Sequence, residues 1–124
     1  MERPDFLYHI TKKENLDSIL SSGLIPNFGE HSKSKREQKA MVFLCYEKDI
    51  DRFLKCFYDV DTVLKVDMRK LKLYTRIIFY ETCYDGIITI HEFGSKETIS
   101  PDRISVYKIL DKPYHISNQQ NNTP

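Results

Sequence analysis

Length, composition and charge exclude several classes of protein. The chain has 124 residues, of which 40% are hydrophobic and 30% charged, and its formal net charge is +1. This length supports one domain with one hydrophobic core. A net charge so close to zero gives the chain as a whole no electrostatic preference for nucleic acid. Because no apolar run approaches the ~18 residues that a transmembrane helix needs, we expect no membrane contact.

The cysteines and histidines indicate a reduced setting without metal. Cys45, Cys56 and Cys83 are odd in number and widely spaced, with no Cys-x-x-Cys pair. A cytoplasmic location fits this usage best. The four histidines are scattered, and no two have the i, i+4 spacing of a helical zinc site. We therefore expect no metal ligands.

The hydrophobic pattern predicts the order strand, helix, strand, helix and then mostly strands. The predicted strands cover residues 6–10, 41–45, 62–66, 73–83, 87–93 and 104–110, and the second helix covers residues 48–58. This order favours an α+β fold, in which a single compact domain has a mixed, mostly antiparallel sheet and two short helices. We place the domain at residues 1–112 and expect the polar residues 113–124 to form a disordered tail.

The first helix has sequence signals at both ends. Thr11 and Glu14 have the spacing of a capping box, in which the threonine caps the helix and the glutamate reaches back to a free amide. Apolar residues at positions 16, 19 and 20 form one helical stripe. Gly23 suits the left-handed position that ends a helix. These signals predict a short helix between Thr11 and Gly23.

Two connections between the predicted elements differ in composition from their surroundings. Residues 27–40 are polar and locally basic, and either form a mobile loop or contact phosphate and cover a substrate. The candidate phosphate donors of this loop are Lys33, Lys35, Arg36 and Lys39. Further along, Asp85-Gly86 favours a tight hairpin between two strands.

Two titratable side chains, His9 and Glu92, lie in predicted strands. An isolated histidine in an apolar strand is either a satisfied core residue or a pocket residue, and both interpretations stay open. Burying a carboxylate is costly, so Glu92 indicates either the rim of a cleft or a strand end that has reached solvent. Glu97 competes with Glu92 for an acidic role, because predicted strand ends are uncertain by a few residues.

Three segments, in order along the chain, are similar to motifs of the ADP-ribosyltransferase superfamily. The first is Tyr8-His9-Ile10-Thr11 with Asn15-Leu16, Ile19-Leu20 and Gly23-Leu24; the second is Val42-Phe43-Leu44 with the helix at 48–58; the third is Glu92 with Ile99-Ser100-Pro101-Asp102-Arg103-Ile104. Together they cover most of residues 7–105. They resemble most the diphtheria-toxin-like branch, which includes poly-ADP-ribose polymerases, toxins that modify thymidine in DNA, and RNA 2′-phosphotransferases.

The resemblance implies an ADP-ribosyltransferase-like fold with NAD as the donor. His9 would hydrogen-bond a hydroxyl of the nicotinamide ribose, and Thr11 would support that ribose or cap the helix. Phe53, or else Tyr46, would stack on nicotinamide. Glu92 would be the catalytic carboxylate, because a carboxylate stabilises the positive charge that develops on a sugar as its glycosidic bond breaks.

Several functions follow from these residues. The leading hypothesis is an ADP-ribosyltransferase, toxin-like in size, whose acceptor is open and is nucleic acid or a nucleotide if the basic loop contacts it. The second is a non-catalytic module that binds NAD or an ADP-ribose-like nucleotide. An RNA 2′-phosphotransferase-like enzyme matches less well, because the arginine and histidine set it would require is not evident around residues 41–45. A small interaction protein, with His9 and Glu92 structural, is a further alternative.

Overall fold

The computed structural model describes residues 4–26, 41–82 and 86–117. Within these ranges the strands and helices follow one another in the order β1, α1, β2, α2, β3, β4, β5, β6, as predicted. The strands are β1 Phe6–Thr11, β2 Val42–Cys45, β3 Thr62–Asp67, β4 Tyr74–Thr82, β5 Gly86–Ser95 and β6 Ile104–Ile109, and the helices are α1 Leu16–Ser22 and α2 Ile50–Cys56.

The strands form one sheet of six, in the order β4-β5-β2-β1-β3-β6. Every pairing among the described strands is antiparallel. The predicted α+β domain with a mostly antiparallel sheet and two short helices is therefore confirmed. A bulge interrupts the pairing of β3 with the edge strand β6 between Val63 and Leu64, and such bulges discourage pairing of an edge with another chain.

The sheet divides into two three-stranded halves. β1 pairs with β3 along its whole length, and β2 pairs with β5 along its whole length. Between β1 and β2, in contrast, the described residues form one pair, Tyr8↔Cys45. We call this junction the seam, and it joins the half-sheet β4-β5-β2 to the half-sheet β1-β3-β6. Towards Thr11 and Val42 the backbone ladder between β1 and β2 does not continue.

One helix covers each face of the sheet. Successive side chains of a strand point to opposite faces, so Leu7 packs with Ile19 of α1, and Tyr8 packs with Phe53 of α2. We call these two clusters the α1 core and the α2 core. Buried members of the α1 core include Leu7, Ile19, Leu44, Leu64, Val66, Phe93 and Ile99, and those of the α2 core include Tyr8, Cys45, Phe53, Leu54, Val60 and Val63.

The predicted capping box at Thr11 and Glu14 is wrong. Thr11 is the last residue of β1, a 3-10 turn at Lys13–Asn15 precedes α1, and neither the turn nor the helix has a side-chain cap hydrogen bond. The physical reason is that Thr11 still pairs with Thr62 of β3, so the backbone stays extended past the position where a cap would begin the helix. Thr11 Oγ1 instead accepts a hydrogen bond of 3.1 Å from Asn15 Nδ2.

Gly23 ends α1 in a conformation that is nearly restricted to glycine. Its φ is 89° and its ψ is −178°, so the predicted positive φ is confirmed, but the residue is extended rather than left-handed helical. A Cβ at this position would lie 2.3 Å from the carbonyl oxygen of Ile99. The approach is this close because Leu24 and Ile99 exchange two backbone hydrogen bonds of 2.9 Å. The first and third sequence motifs therefore contact each other directly.

β4 and β5 form a hairpin that is longer than the neighbouring strands. Their pairing runs from Tyr74↔Gly94 to Thr82↔Gly86, which confirms a hairpin here, whereas residues 83–85 of its turn lie outside the described residues. Only Glu92–Ser95 of β5 also pair with β2. Within the described chain, residues 86–91 pair with β4 alone. Glu92 is therefore the point at which this two-stranded ribbon joins the rest of the sheet.

Part of the predicted tail contacts the body of the domain. Asp59 donates its backbone N–H to the carbonyl of His115 at 2.7 Å, and its carboxylate accepts a hydrogen bond of 2.8 Å from the N–H of Ser117. The ring of Tyr58 contacts the His115 ring edge-on. Residues 113–117 thus lie against the turn between α2 and β3. The domain boundary at residue 112 stays a prediction, and residues 118–124 lie outside the described part of the chain.

The backbone geometry of Gly23 predicts that even an alanine at this position strongly lowers the stability of the fold. We expect Gly23→Ala to lower the free energy of unfolding by about 1–3 kcal/mol, because alanine is forced into a backbone region that excludes a Cβ. The conflict with the Ile99 carbonyl would add to this cost. Urea denaturation followed by circular dichroism measures the change.

Ser22→Ala is the matched control, since Ser22 is the exposed last residue of the same helix. This control should change the free energy of unfolding by no more than about 0.5 kcal/mol. A Gly23→Ala protein as stable as the control would contradict the close contact between the two motifs.

Candidate active site

His9 lies half-buried at the seam, where the backbone ladder between β1 and β2 stops. Its Nδ1 lies 2.8 Å from the carbonyl oxygen of Phe43 on β2. A carbonyl can only accept, so we assign the proton to Nδ1. Burial lowers the pKa of His9, and the hydrogen bond to Phe43 opposes this shift in part. The imidazole is therefore neutral near pH 7, and Nε2 is a hydrogen-bond acceptor.

Glu92 is buried in β5, with 8% of its surface exposed. It pairs with Cys45 of β2, which places it inside the sheet rather than at a strand end. Glu97, in contrast, is exposed in the turn after β5, where Ser95 Oγ donates a hydrogen bond to its backbone carbonyl at 3.0 Å. Of the two glutamates that the sequence leaves open, Glu92 is thus the one in a protected environment.

His9 and Glu92 are close in the sheet, although strand alternation directs them to opposite faces. Tyr8, the neighbour of His9, pairs with Cys45, and Cys45 pairs with Glu92. Two inter-strand spacings, about 10 Å, therefore separate the backbones of His9 and Glu92. Glu92 shares the α2 face with Tyr8 and Cys45, whereas the Cα–Cβ bond of His9 points to the α1 face. The His9 ring nevertheless reaches the Phe43 carbonyl, which draws it towards the seam.

A second buried carboxylate lies near Glu92. Asp49, which precedes α2, is 7% exposed. Burial, together with the charges of Asp49 and Glu92, raises the pKa of the Cys45 thiol to about 12. Cys45 therefore stays protonated and is no nucleophile at neutral pH. Asp49 was not singled out from the sequence, because the predicted helix at residues 48–58 includes it and an aspartate in a helix is usually exposed.

Thr11 is buried beside the open side of the seam, with 8% of its surface exposed. Its hydroxyl is engaged by Asn15, and its carbonyl accepts a hydrogen bond of 3.1 Å from the N–H of Asp61. Asp61 in turn accepts a hydrogen bond of 2.8 Å from the backbone N–H of Lys13. Thr11 thus fixes the path of the chain from β1 into the turn before α1.

The two aromatic candidates for stacking differ in accessibility. Phe53 lies in the α2 core with 3% of its surface exposed and packs against Phe57, so its ring offers little surface to a ligand. Tyr46, just after β2, is half-buried and contacts Phe93 edge-on at a centroid distance of 4.9 Å. Since Phe93 belongs to the α1 core, Tyr46 lies on the sheet face opposite to Glu92.

The remaining predictions from the sequence concern the basic loop, metal ligands and the membrane. The four basic residues of the 27–40 loop (Lys33, Lys35, Arg36 and Lys39) are outside the described residues. Among residues 4–26, 41–82 and 86–117, no three histidine, cysteine or acidic side chains are grouped so that they could hold a metal ion. No helix of these ranges is long and apolar enough to cross a membrane.

Comparisons with protein-family models, with curated proteins and with solved structures found no match. The resemblance to the ADP-ribosyltransferase superfamily therefore stays a prediction from the three sequence motifs. The structure adds the contacts among them: the first motif meets the third at Leu24 and Ile99 and meets the second through His9 and Phe43.

The half-buried, neutral His9 predicts a loss of stability in acid. The pKa of His9 in the folded chain is below its ordinary value of 6.5. As the pH falls below about 6.5, the unfolded chain therefore binds a proton that the folded chain does not, and the folded state loses stability. Above that pH this contribution to stability is constant. His9→Asn keeps an N–H donor for the Phe43 carbonyl but cannot titrate.

Thermal unfolding between about pH 7 and pH 5 measures this difference. We expect the melting temperature of the wild type to decrease more steeply than that of His9→Asn as the pH falls. His115→Asn, at an exposed position, should follow the wild type. Equal slopes for the wild type and His9→Asn would contradict the buried state of the imidazole.

Proposed function

We propose that this protein is an ADP-ribosyltransferase that uses NAD as the donor. The observation that carries the proposal is the seam, where the backbones of His9, a neutral imidazole, and Glu92, a buried carboxylate, lie about 10 Å apart in one sheet. Both residues occupy the motif positions that the sequence resemblance assigns to ribose binding and to catalysis. A dinucleotide that crosses the open side of the seam from the α1 face to the α2 face would approach both.

His9 would bind the nicotinamide ribose through its Nε2 atom. Because Nδ1 is held by the Phe43 carbonyl, the ring is fixed in one orientation and in one tautomer before a ligand arrives. A ribose hydroxyl would then donate to Nε2. Such preorganisation lowers the entropy cost of holding the sugar in a reactive position.

Glu92 would act on the same sugar during bond cleavage. As the bond between ribose C1′ and nicotinamide breaks, positive charge develops on the ribose, and a nearby carboxylate stabilises it. Burial of Glu92 strengthens this effect, because the surroundings screen charge less than water does. Nicotinamide leaves as a neutral molecule, so the leaving group needs no proton.

The other residues that we expect to contact the ligand differ in how well their surroundings suit that role. Tyr46 is the more accessible of the two aromatic side chains and would provide a face for nicotinamide if the ligand crosses the seam to that side. Thr11 would act through the chain path beside the ribose rather than through its hydroxyl, which Asn15 engages. The basic side chains Lys33, Lys35, Arg36 and Lys39 would favour a nucleic-acid or nucleotide acceptor.

The second candidate is a non-catalytic module that binds NAD or a related nucleotide. The observation that favours it is the burial of Phe53 in the α2 core, which removes one of the two rings expected to hold nicotinamide. The strand alternation that separates His9 and Glu92 also agrees better with binding than with catalysis.

Release of nicotinamide from NAD distinguishes the two candidates. We expect Glu92→Gln to reduce release about 100-fold or more, because the variant lacks the charge that stabilises the transition state. Its affinity for NAD should change little. Glu97→Gln is the matched control, an exposed glutamate five positions further along the chain, and it should behave like the wild type.

Binding is measured separately from turnover by the shift in melting temperature with NAD. A ligand at about 100 times its Kd stabilises a folded protein by about 2.7 kcal/mol. Stabilisation without release of nicotinamide by the wild type would support the binding module. If NAD neither stabilises the wild type nor is cleaved by it, both candidates are wrong.

A further inference from the structure

We propose that Asp49 is the general base that removes the proton from the acceptor during ADP-ribosyl transfer. This inference rests on the function proposed above and names a residue that neither the motifs nor their resemblance assign. It follows from the surroundings of the Asp49 side chain, which differ from those of an ordinary residue at the start of a helix.

Asp49 is the last residue of the 3-10 turn Glu47–Asp49, which leads directly into α2, and its side chain does not cap the helix. An N-cap aspartate normally accepts a hydrogen bond from a backbone N–H of the first turn, and Asp49 makes no such side-chain bond. Its backbone N–H donates a hydrogen bond of 3.0 Å to the carbonyl of Tyr46. The carboxylate is therefore available for another purpose.

The carboxylate is nevertheless more than nine-tenths buried. Asp49 is 7% exposed, and within the described ranges no hydrogen bond or ion pair joins its side chain to another residue. A buried polar group without a partner is rare in folded proteins and is costly to maintain. Such groups are concentrated at sites where a ligand supplies the missing partner.

Asp49 also lies on the same side of the sheet as Glu92. Both carboxylates are near enough to Cys45 for their charges to act on its thiol. Cys45 and Glu92 share the α2 face through their strand pairing, and α2 begins directly after Asp49. Two carboxylates thus flank one neutral side chain. This pairing resembles the two acidic groups that flank the bond in glycoside hydrolysis, where one acts on the sugar and the other on the attacking group.

The two carboxylates would divide the reaction between them. The bond between ribose C1′ and the nicotinamide nitrogen breaks, and its electron pair leaves with neutral nicotinamide. In the same step the acceptor oxygen or nitrogen forms its bond to C1′ and its proton passes to the Asp49 carboxylate, so loss of the base also slows the release of nicotinamide. No oxidant, reductant or further reactant is needed. With water as the acceptor, the products are ADP-ribose, nicotinamide and a proton.

The test compares Asp49→Asn with the wild type in the release of nicotinamide from NAD, with water as the acceptor. Removal of a general base typically lowers the rate about 100-fold to 10,000-fold. Asp51→Asn is the matched control, because Asp51 is exposed two residues further along, in α2. Binding of NAD, measured by the shift in melting temperature, should be similar for all three proteins.

An experiment with added azide distinguishes a general base from a residue that only supports the structure. Azide is an anionic nucleophile from which no proton must be removed, so it needs no general base. We expect added azide to raise the rate of Asp49→Asn at least tenfold and to yield ADP-ribosyl azide. Glu92→Gln should not be restored in this way, since its defect lies in cleavage of the bond to nicotinamide.

The outcomes distinguish this inference from the function on which it rests. A wild type that releases no nicotinamide overturns both. An active wild type with an Asp49→Asn variant within threefold of it overturns only the role of Asp49. A slow Asp49→Asn variant that azide does not restore also overturns that role, because the loss is then structural.

Discussion

The hydrogen bond from His9 to the Phe43 carbonyl is the interaction on which the arrangement of this domain depends. It lies where the two half-sheets are joined by one backbone pair, Tyr8↔Cys45. A side chain here takes the place that a backbone N–H would hold in a continuous ladder. This keeps the Phe43 carbonyl satisfied while the strands separate. Burial lowers the pKa of His9 and keeps the ring neutral, whereas the hydrogen bond to Phe43 opposes this shift, so the junction sets the protonation state of this residue.

Each of the two cores spans both half-sheets, so side-chain packing holds the halves together across the seam. The α1 core and the α2 core hold opposite faces, so neither needs a full ladder between β1 and β2 to stay packed. Two buried carboxylates, Asp49 and Glu92, can then be kept near the junction at a cost that the apolar packing offsets. Buried carboxylates of this kind lower stability, and proteins usually retain them where function requires them.

Much of this fold could be predicted from the sequence, because its elements are short and regularly patterned. The strand and helix order follows from periodicity alone, and Gly23 marks the end of α1. The capping-box prediction was wrong because pairing with β3 holds Thr11 in a strand. This tertiary effect cannot be read from the spacing of residues in the local sequence. The burial of Phe53 could not be predicted for the same reason: an aromatic residue on a helical stripe does not indicate whether its ring faces a ligand or the core.

The site was less predictable than the fold. His9 and Glu92 could be singled out as titratable residues in apolar strands, but their relation depends on which strands are neighbours. Asp49 carried no signal, since the sequence placed it within the helix predicted at residues 48–58 and does not show that its side chain is buried. The Phe43 contact could not be foreseen either, because its acceptor is a backbone atom that every residue possesses.

The long β4–β5 hairpin places Glu92 at a mechanical boundary. On one side of this residue β5 is held by two neighbouring strands, and on the other side it is held by β4 alone. Any molecule that bends or twists the ribbon would act on the backbone of Glu92 before it acts on the rest of the sheet. The ribbon is thus a lever of about six residues in β5 whose fixed end is the candidate catalytic carboxylate. A molecule that binds the hairpin far from the seam would therefore change the orientation of that carboxylate.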